Sequence, residues 1–204
     1  MNGDLTLSAF QTSTRVVQEF GTYTITFTLA TSLHSDSRIY ITLPANLQVD
    51  RTSSPSFSCS LKFGGNPAQS ILCSLDTNLL VDMSLISSWS GKNVVAGGTV
   101  VIVEINSSTK KISNPVSAKE CGDWKVSTFN IITGKEWLVD TKSATDSSLK
   151  FIAIAGTISV GSVSIIKVAN EKKISSSESD TYKFDLTLPH SLPAFGKILL
   201  KLPS

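Results

Sequence analysis

Thr22-Tyr23-Thr24-Ile25-Thr26-Phe27-Thr28-Leu29 decides the fold class of this chain. Tyr23, Ile25, Phe27 and Leu29 alternate with threonines, so the segment has one apolar and one polar side. That period of two belongs to a half-buried β-strand, and β-branched threonine suits its wet face. Residues 38–43 repeat the alternation, with Ile39, Ile41 and Leu43 on the inner side until Pro44 stops it. Strands also read at 57–63, 70–75, 79–85, 99–105, 125–132 and 136–140. Turn residues separate them, with bends expected at Gly64-Gly65-Asn66-Pro67, Gly97-Gly98 and Thr133-Gly134-Lys135. No ten-residue stretch carries a helical stripe, and residues 15–20 form at most one turn or an irregular edge. The class is all-β, with a sandwich favoured over a barrel.

The deciding stretch returns near the other end. Thr181-Tyr182-Lys183-Phe184-Asp185-Leu186-Thr187-Leu188 matches residues 22–29, and Ile198-Leu199-Leu200-Lys201-Leu202-Pro203 matches Ile39-Tyr40-Ile41-Thr42-Leu43-Pro44 at the same offset of 159 residues. The expected organisation is tandem Ig-like β-sandwich modules. Residues 1–155 make one complete module, and 156–204 the first strands of a second, homologous one that is incomplete within this chain. So short a segment lies near the lower limit for folding alone. It is expected either to continue into a longer array or to be completed by strands of a neighbouring subunit.

Composition narrows the function. Hydrophobic residues make up 41% of the chain, enough for a real core, while charged residues are only 17%, below the usual quarter. Ser and Thr supply about a quarter of the positions. Low charge with abundant hydroxyls points to an extracellular or cell-surface location. A net charge of +2 provides no footprint for nucleic acid. Residues 151–166 are uncharged, but too short and too interrupted by Gly156 and Gly161 for a membrane span. No leader pattern stands at the start, as in a mature or excised segment.

Of three cysteines, Cys59 and Cys73 flank the Gly64-Gly65-Asn66-Pro67 turn. A hairpin there brings them together, and a disulfide would contribute about 3 kcal/mol in the chain-entropy model; two buried thiols are the alternative. Cys121 is left over, either buried and inert or a free or intermolecular thiol.

The order of motifs resembles the β-sandwich repeats of large surface and secreted proteins of ciliates and related protists. The carrying residues are the alternating strand, Arg38-Ile39-Tyr40-Ile41-Thr42-Leu43-Pro44, Cys59 and Cys73, then Ala96-Gly97-Gly98-Thr99-Val100. Ile112-Ser113-Asn114-Pro115-Val116-Ser117-Ala118-Lys119 and Lys125-Val126-Ser127-Thr128-Phe129-Asn130 complete them. The resemblance implies an extracellular structural protein, with fibrils or mastigoneme-like appendages as a plausible home, and offers no catalytic residue to carry over.

No catalytic, cofactor or metal site is expected. GxSxG, HExxH, P-loop and EF-hand patterns are absent, and His34 and His190 do not correspond under the repeat. Scattered Asp36, Asp50, Asp76 and Asp82 leave a calcium site built from several loops as an alternative. Asn106-Ser107-Ser108 is an N-glycosylation sequon, so covalent glycans are candidate partners. Trp137 is expected in the core, Trp124 near Cys121, and Trp89 exposed.

The expected function is a self-assembling filament or surface-coat subunit with copies of itself as partner. Its assembly interface is expected at Tyr182, Phe184, Leu186 and Leu188, at Ile198, Leu200 and Leu202, and on the outer face at Val100 and Ile102. Val100-Val101-Ile102-Val103 is apolar on both sides, so a loop or another chain should cover its outer face. The alternative is a carbohydrate-binding or adhesive ectodomain, which needs exposed aromatic residues; an enzyme ranks third.

Overall fold

The structure is a computed structural model, and it describes residues 4–34, 36–52, 54–83, 94–156, 159–166, 181–188 and 197–201. The chain divides into two compact units, 1–155 and 156–204. Fifteen strands and no α-helix are present among the described residues.

In the first unit they are β1 (Thr6–Thr12), β2 (Tyr23–Thr28), β3 (Leu33–His34), β4 (Arg38–Thr42), β5 (Gln48–Val49), β6 (Ser56–Phe63) and β7 (Gln69–Leu75). They continue with β8 (Leu79–Asp82), β9 (Val94–Val95), β10 (Val100–Ile105), β11 (Ile112–Ser113), β12 (Trp124–Ile132) and β13 (Lys135–Ala144). Nine of them form one sheet in the order β1-β2-β10-β6-β7-β8-β4-β12-β13. Every pairing in it is antiparallel.

The sequence reading favoured two stacked sheets, but hydrogen bonding here runs unbroken through the β7–β8 hairpin. The sheet wraps almost round, and its ends come near each other, where Lys142 of β13 meets Asp4 just before β1 at 3.3 Å. The physical reason is the β7–β8 hairpin itself, which pairs with β6 on one side and β4 on the other and so joins what would be two layers.

Inward residues follow the alternation. Tyr23, Ile25 and Phe27 of β2, Ile39 and Ile41 of β4, and Val101, Val103 and Ile105 of β10 are buried. An aromatic group closes one part of the core: Phe10 lies 5.6 Å from Trp124, 6.0 Å from Tyr23 and 6.1 Å from Phe151 between ring centroids. Trp124 Nε1 donates to the Leu149 carbonyl at 3.2 Å, which satisfies its polar end.

Asn114 explains the most distinctive stretch of the sequence. Its side chain is buried, accepts from the Tyr23 hydroxyl at 2.8 Å, and donates to the carbonyls of Thr14 at 2.9 Å and Val16 at 2.7 Å. Its own N–H reaches the Glu19 carbonyl at 2.9 Å. Asn114 thus ties the irregular 14–19 segment to β2, beside the backbone bonds that Arg15 and Val17 make with Ile154 and Gln18 makes with Pro115.

The second unit contains β14 (Ser159–Ile166) and β15 (Thr181–Thr187), an antiparallel hairpin. Residues 197–201 have no strand pairing among the described residues. No helix among the described residues is long and apolar enough to cross a membrane.

Candidate functional site

The β12–β13 hairpin carries the most conspicuous exposed apolar group. Thr133-Gly134 turns it, with φ of 51° and 76°. Two positive values are what a two-residue type I′ turn requires. Near its base Trp124, Val126 and Thr128 face the core, and Asp140 is buried. The Asp140 carboxylate accepts from the Thr31 N–H at 2.9 Å and from Thr31 Oγ1 at 2.8 Å.

Beyond a bulge at Thr128/Phe129 the hairpin outruns the core. Ile132, Trp137 and Leu138 are 55%, 57% and 41% exposed. By alternation, Ile132 and Trp137 continue the core-facing side, while Phe129, Ile131 and Leu138 lie on the opposite side. Trp137, expected in the core, is therefore outside it: the strand is right, but the core ends before its tip. Consecutive Ile131-Ile132 and Trp137-Leu138-Val139 around a tight turn were the available signal of a hairpin apolar on both faces.

A charged network holds this hairpin to its neighbours. Arg38 Nη1 donates to Glu136 Oε1 at 2.5 Å and Arg38 Nε to Asp82 Oδ2 at 3.1 Å. The Tyr40 hydroxyl donates to the same Glu136 oxygen at 2.8 Å, and the Tyr40 ring meets Phe129 edge to face at 5.2 Å. The bonds from Arg38 and then Tyr40 hold the Glu136 carboxyl below its ordinary range. Glu136, followed by Asp82, holds Arg38 more firmly protonated than usual. Partial burial and then the Glu136 bond push the Tyr40 phenol up. The result is a fixed edge strand, since β13 ends the sheet order and, among the described residues, pairs only with β12.

In the second unit Phe184, Leu186 and Leu188 are half-buried, and the Tyr182 backbone lies in β15 opposite Ile165. Ile198, Leu199 and Leu200 are exposed at 44%, 93% and 47%. Leu202, with Trp89 and His190, lies outside the described residues. On the first unit Val100 is 40% exposed and Ile102 half-buried, so the outer side of β10 is only partly covered. Thr28 and Thr26 flank these two on β2.

Cys59 and Cys73 form a disulfide between β6 and β7, with Cα atoms 5.8 Å apart. Cys121 is free and buried, and that burial pushes its thiol up, away from the reactive thiolate. Asn106 is exposed, and its side chain accepts from the Ser108 N–H at 2.8 Å. Lys150 Nζ bonds Asp123 at 2.6 Å, Glu120 at 2.9 Å and the Thr145 carbonyl at 3.0 Å, and the two carboxylates hold it protonated. No group of three or more metal-ligating side chains occurs among the described residues.

No protein family matches the chain, and no curated protein matches it. Among solved structures it is similar to a bacterial hydrophobin, BslA, at 13% identity and a TM-score of 0.34, over 76% of this chain and 100% of that one. It is also similar to AvmM, which catalyses macrocyclization in alchivemycin A biosynthesis, at 9% identity and a TM-score of 0.33, over 76% of this chain and 92% of that one.

Proposed function

We propose that this chain is a structural subunit of an extracellular filament or cell-surface coat, built of tandem Ig-like modules that join head to tail by strand pairing and apolar burial. The observation that carries the reading is the second hairpin. β14 pairs with β15 in the register that β1 keeps with β2, down to the position of a bulge. Repetition of a structural unit within one chain is the signature of arrays. The strand order supports the Ig-like part: β1-β2-β10-β6 follows the A-B-E-D order and β4-β12-β13 the C-F-G order of a constant-type sandwich, with β7 and β8 bridging them. The Cys59–Cys73 disulfide suits an oxidising, extracellular setting.

Negative-stain images of the purified chain across a concentration series test this, with filaments or sheets expected. A chain lacking residues 160–204 should remain a folded monomer, since the buried hydrophobic core among the described residues runs from Leu5 to Ala153 within the first unit. Filaments formed by that truncated chain would refute the reading.

Trp137 favours a second reading. An aromatic side chain 57% exposed beside polar Asn130 is a stacking surface for a sugar, as a carbohydrate-binding ectodomain requires. Glycan-array binding that disappears in Trp137→Ala would select that reading.

A further inference from the structure

Two segments of this chain have opposite and matching needs. β13 ends the sheet, and its segment 135–139 lies beyond the anchor at Asp140 with one edge unpaired among the described residues. A free edge displays backbone donors and acceptors, and apolar side chains beside it favour pairing with a further strand. Trp137 and Leu138 stand on opposite faces of this edge and are exposed. The Arg38–Glu136–Tyr40 network already fixes its position, so little ordering is required on binding.

Lys197–Lys201 has the converse problem. It equals the free edge in length, has no strand partner among the described residues, and exposes apolar side chains at Ile198, Leu199 and Leu200. Its counterpart in the first unit is β4, which pairs on one side with β8 and on the other with β12. There the residues matching Ile198 and Leu200 are Ile39 and Ile41, both fully buried. A sequence of this kind is suited to the interior of a sheet, and β4 already pairs with one strand of the very hairpin that β13 closes.

We infer that the β13 edge at residues 135–139 is the docking site for Lys197–Lys201 of a second copy, which adds to the sheet as its tenth strand. This rests on the reading of the chain as a self-assembling subunit and names the two surfaces that meet. The contact is heterologous, so each copy both gives a strand and receives one, and the assembly propagates unless it closes into a ring.

Mixing full-length Trp137→Cys with full-length Leu199→Cys under mild oxidation tests it, because these positions lie at the centres of the two segments. The expected product is a mixed disulfide exceeding either symmetric dimer. Absence of the mixed species, or a dominant Trp137→Cys homodimer, overturns the inference. A second measurement uses a fluorescent peptide of residues 194–204, with full-length chain carrying Ile198→Asp and Leu200→Asp as receiver. Saturable binding is expected, weakened at least tenfold by adding Leu138→Lys to the receiver or Leu200→Asp to the peptide; binding indifferent to both overturns it. Filaments that persist in full-length Leu138→Lys refute this docking site while leaving the filament reading intact. Peptide capture by a chain that never polymerises does the reverse.

Discussion

Val160 stands opposite Leu186 in the β14–β15 ladder, and the next pair skips Gly161 to join Ser162 with Asp185. In the first unit Leu7 stands opposite Phe27, and the next pair skips Ser8 to join Ala9 with Thr26. The bulge falls at the same place relative to the repeated strand in both hairpins. A bulge inserts one residue and restores alternation on its far side. In β1 it lets Leu7 and Phe10 both face inward although they are three residues apart. Deleting Ser8 leaves Leu7 and Phe10 two residues apart, the ordinary spacing of one strand face, so the bulge should close while Phe10 stays inward against Tyr23, Trp124 and Phe151. The expected cost is therefore well under the roughly 3–5 kcal/mol of truncating a buried phenylalanine. Urea denaturation of the deletion variant checks it, and a loss as large as that of Phe10→Ala would show that the register of β1 depends on the bulge.

The same bulge shows where the sequence was legible and where it was not. Strands with unbroken alternation, such as β2, β4 and β10, read directly because each inner residue follows the last by two. β1 was missed because Leu5, Leu7 and Phe10 break that period at Ser8. The disulfide was readable since one turn separates its cysteines, whereas the continuous sheet was not, because pairing of β8 with β4 joins strands far apart in sequence. Trp137 was misplaced for a related reason. Alternation tells which side of a strand a residue occupies, but not how far along it the core extends.

Asn114 makes three side-chain hydrogen bonds in a buried site, two of them to carbonyls of the 14–16 segment. Asn114→Leu removes all three and leaves the Tyr23 hydroxyl and two carbonyls without that partner. The expected loss is about 2–4 kcal/mol, because an abandoned buried polar group costs roughly 1–3 kcal/mol. Asn114→Leu in a Tyr23→Phe background should lose less, since the phenolic group no longer needs a partner. Equal losses in the two backgrounds would rule out the Tyr23–Asn114 bond as a contributor.

Thr133 holds φ of 51°, a conformation that a β-branched residue adopts poorly. Asparagine tolerates it and is preferred before glycine in such turns. Thr133→Asn should raise stability by about 0.5–1 kcal/mol without altering the hairpin register. Thermal unfolding measures the gain, and a lower melting temperature would show that the threonine is favoured by something other than the turn.

Glu136 links the exposed hairpin to β4, and its folded-state carboxyl is held below its ordinary value of 4.5 by Arg38 first and Tyr40 second. A depressed carboxyl contributes stability that is fully present above its unfolded value and disappears as pH falls through the folded one. The tether should thus be constant at neutral and mildly acidic pH and weaken only below about pH 4.5. Its exposed setting keeps the energy small, but the structural consequence is local. Once Glu136 is protonated, it no longer holds Arg38 and Tyr40 as an anion, and amides of the 135–139 edge should exchange faster relative to those of β2. Hydrogen exchange measured across this range, against Glu136→Gln as a reference without the titration, reads the effect directly. An identical pH dependence in the two proteins would mean that Glu136 does not govern the mobility of the edge.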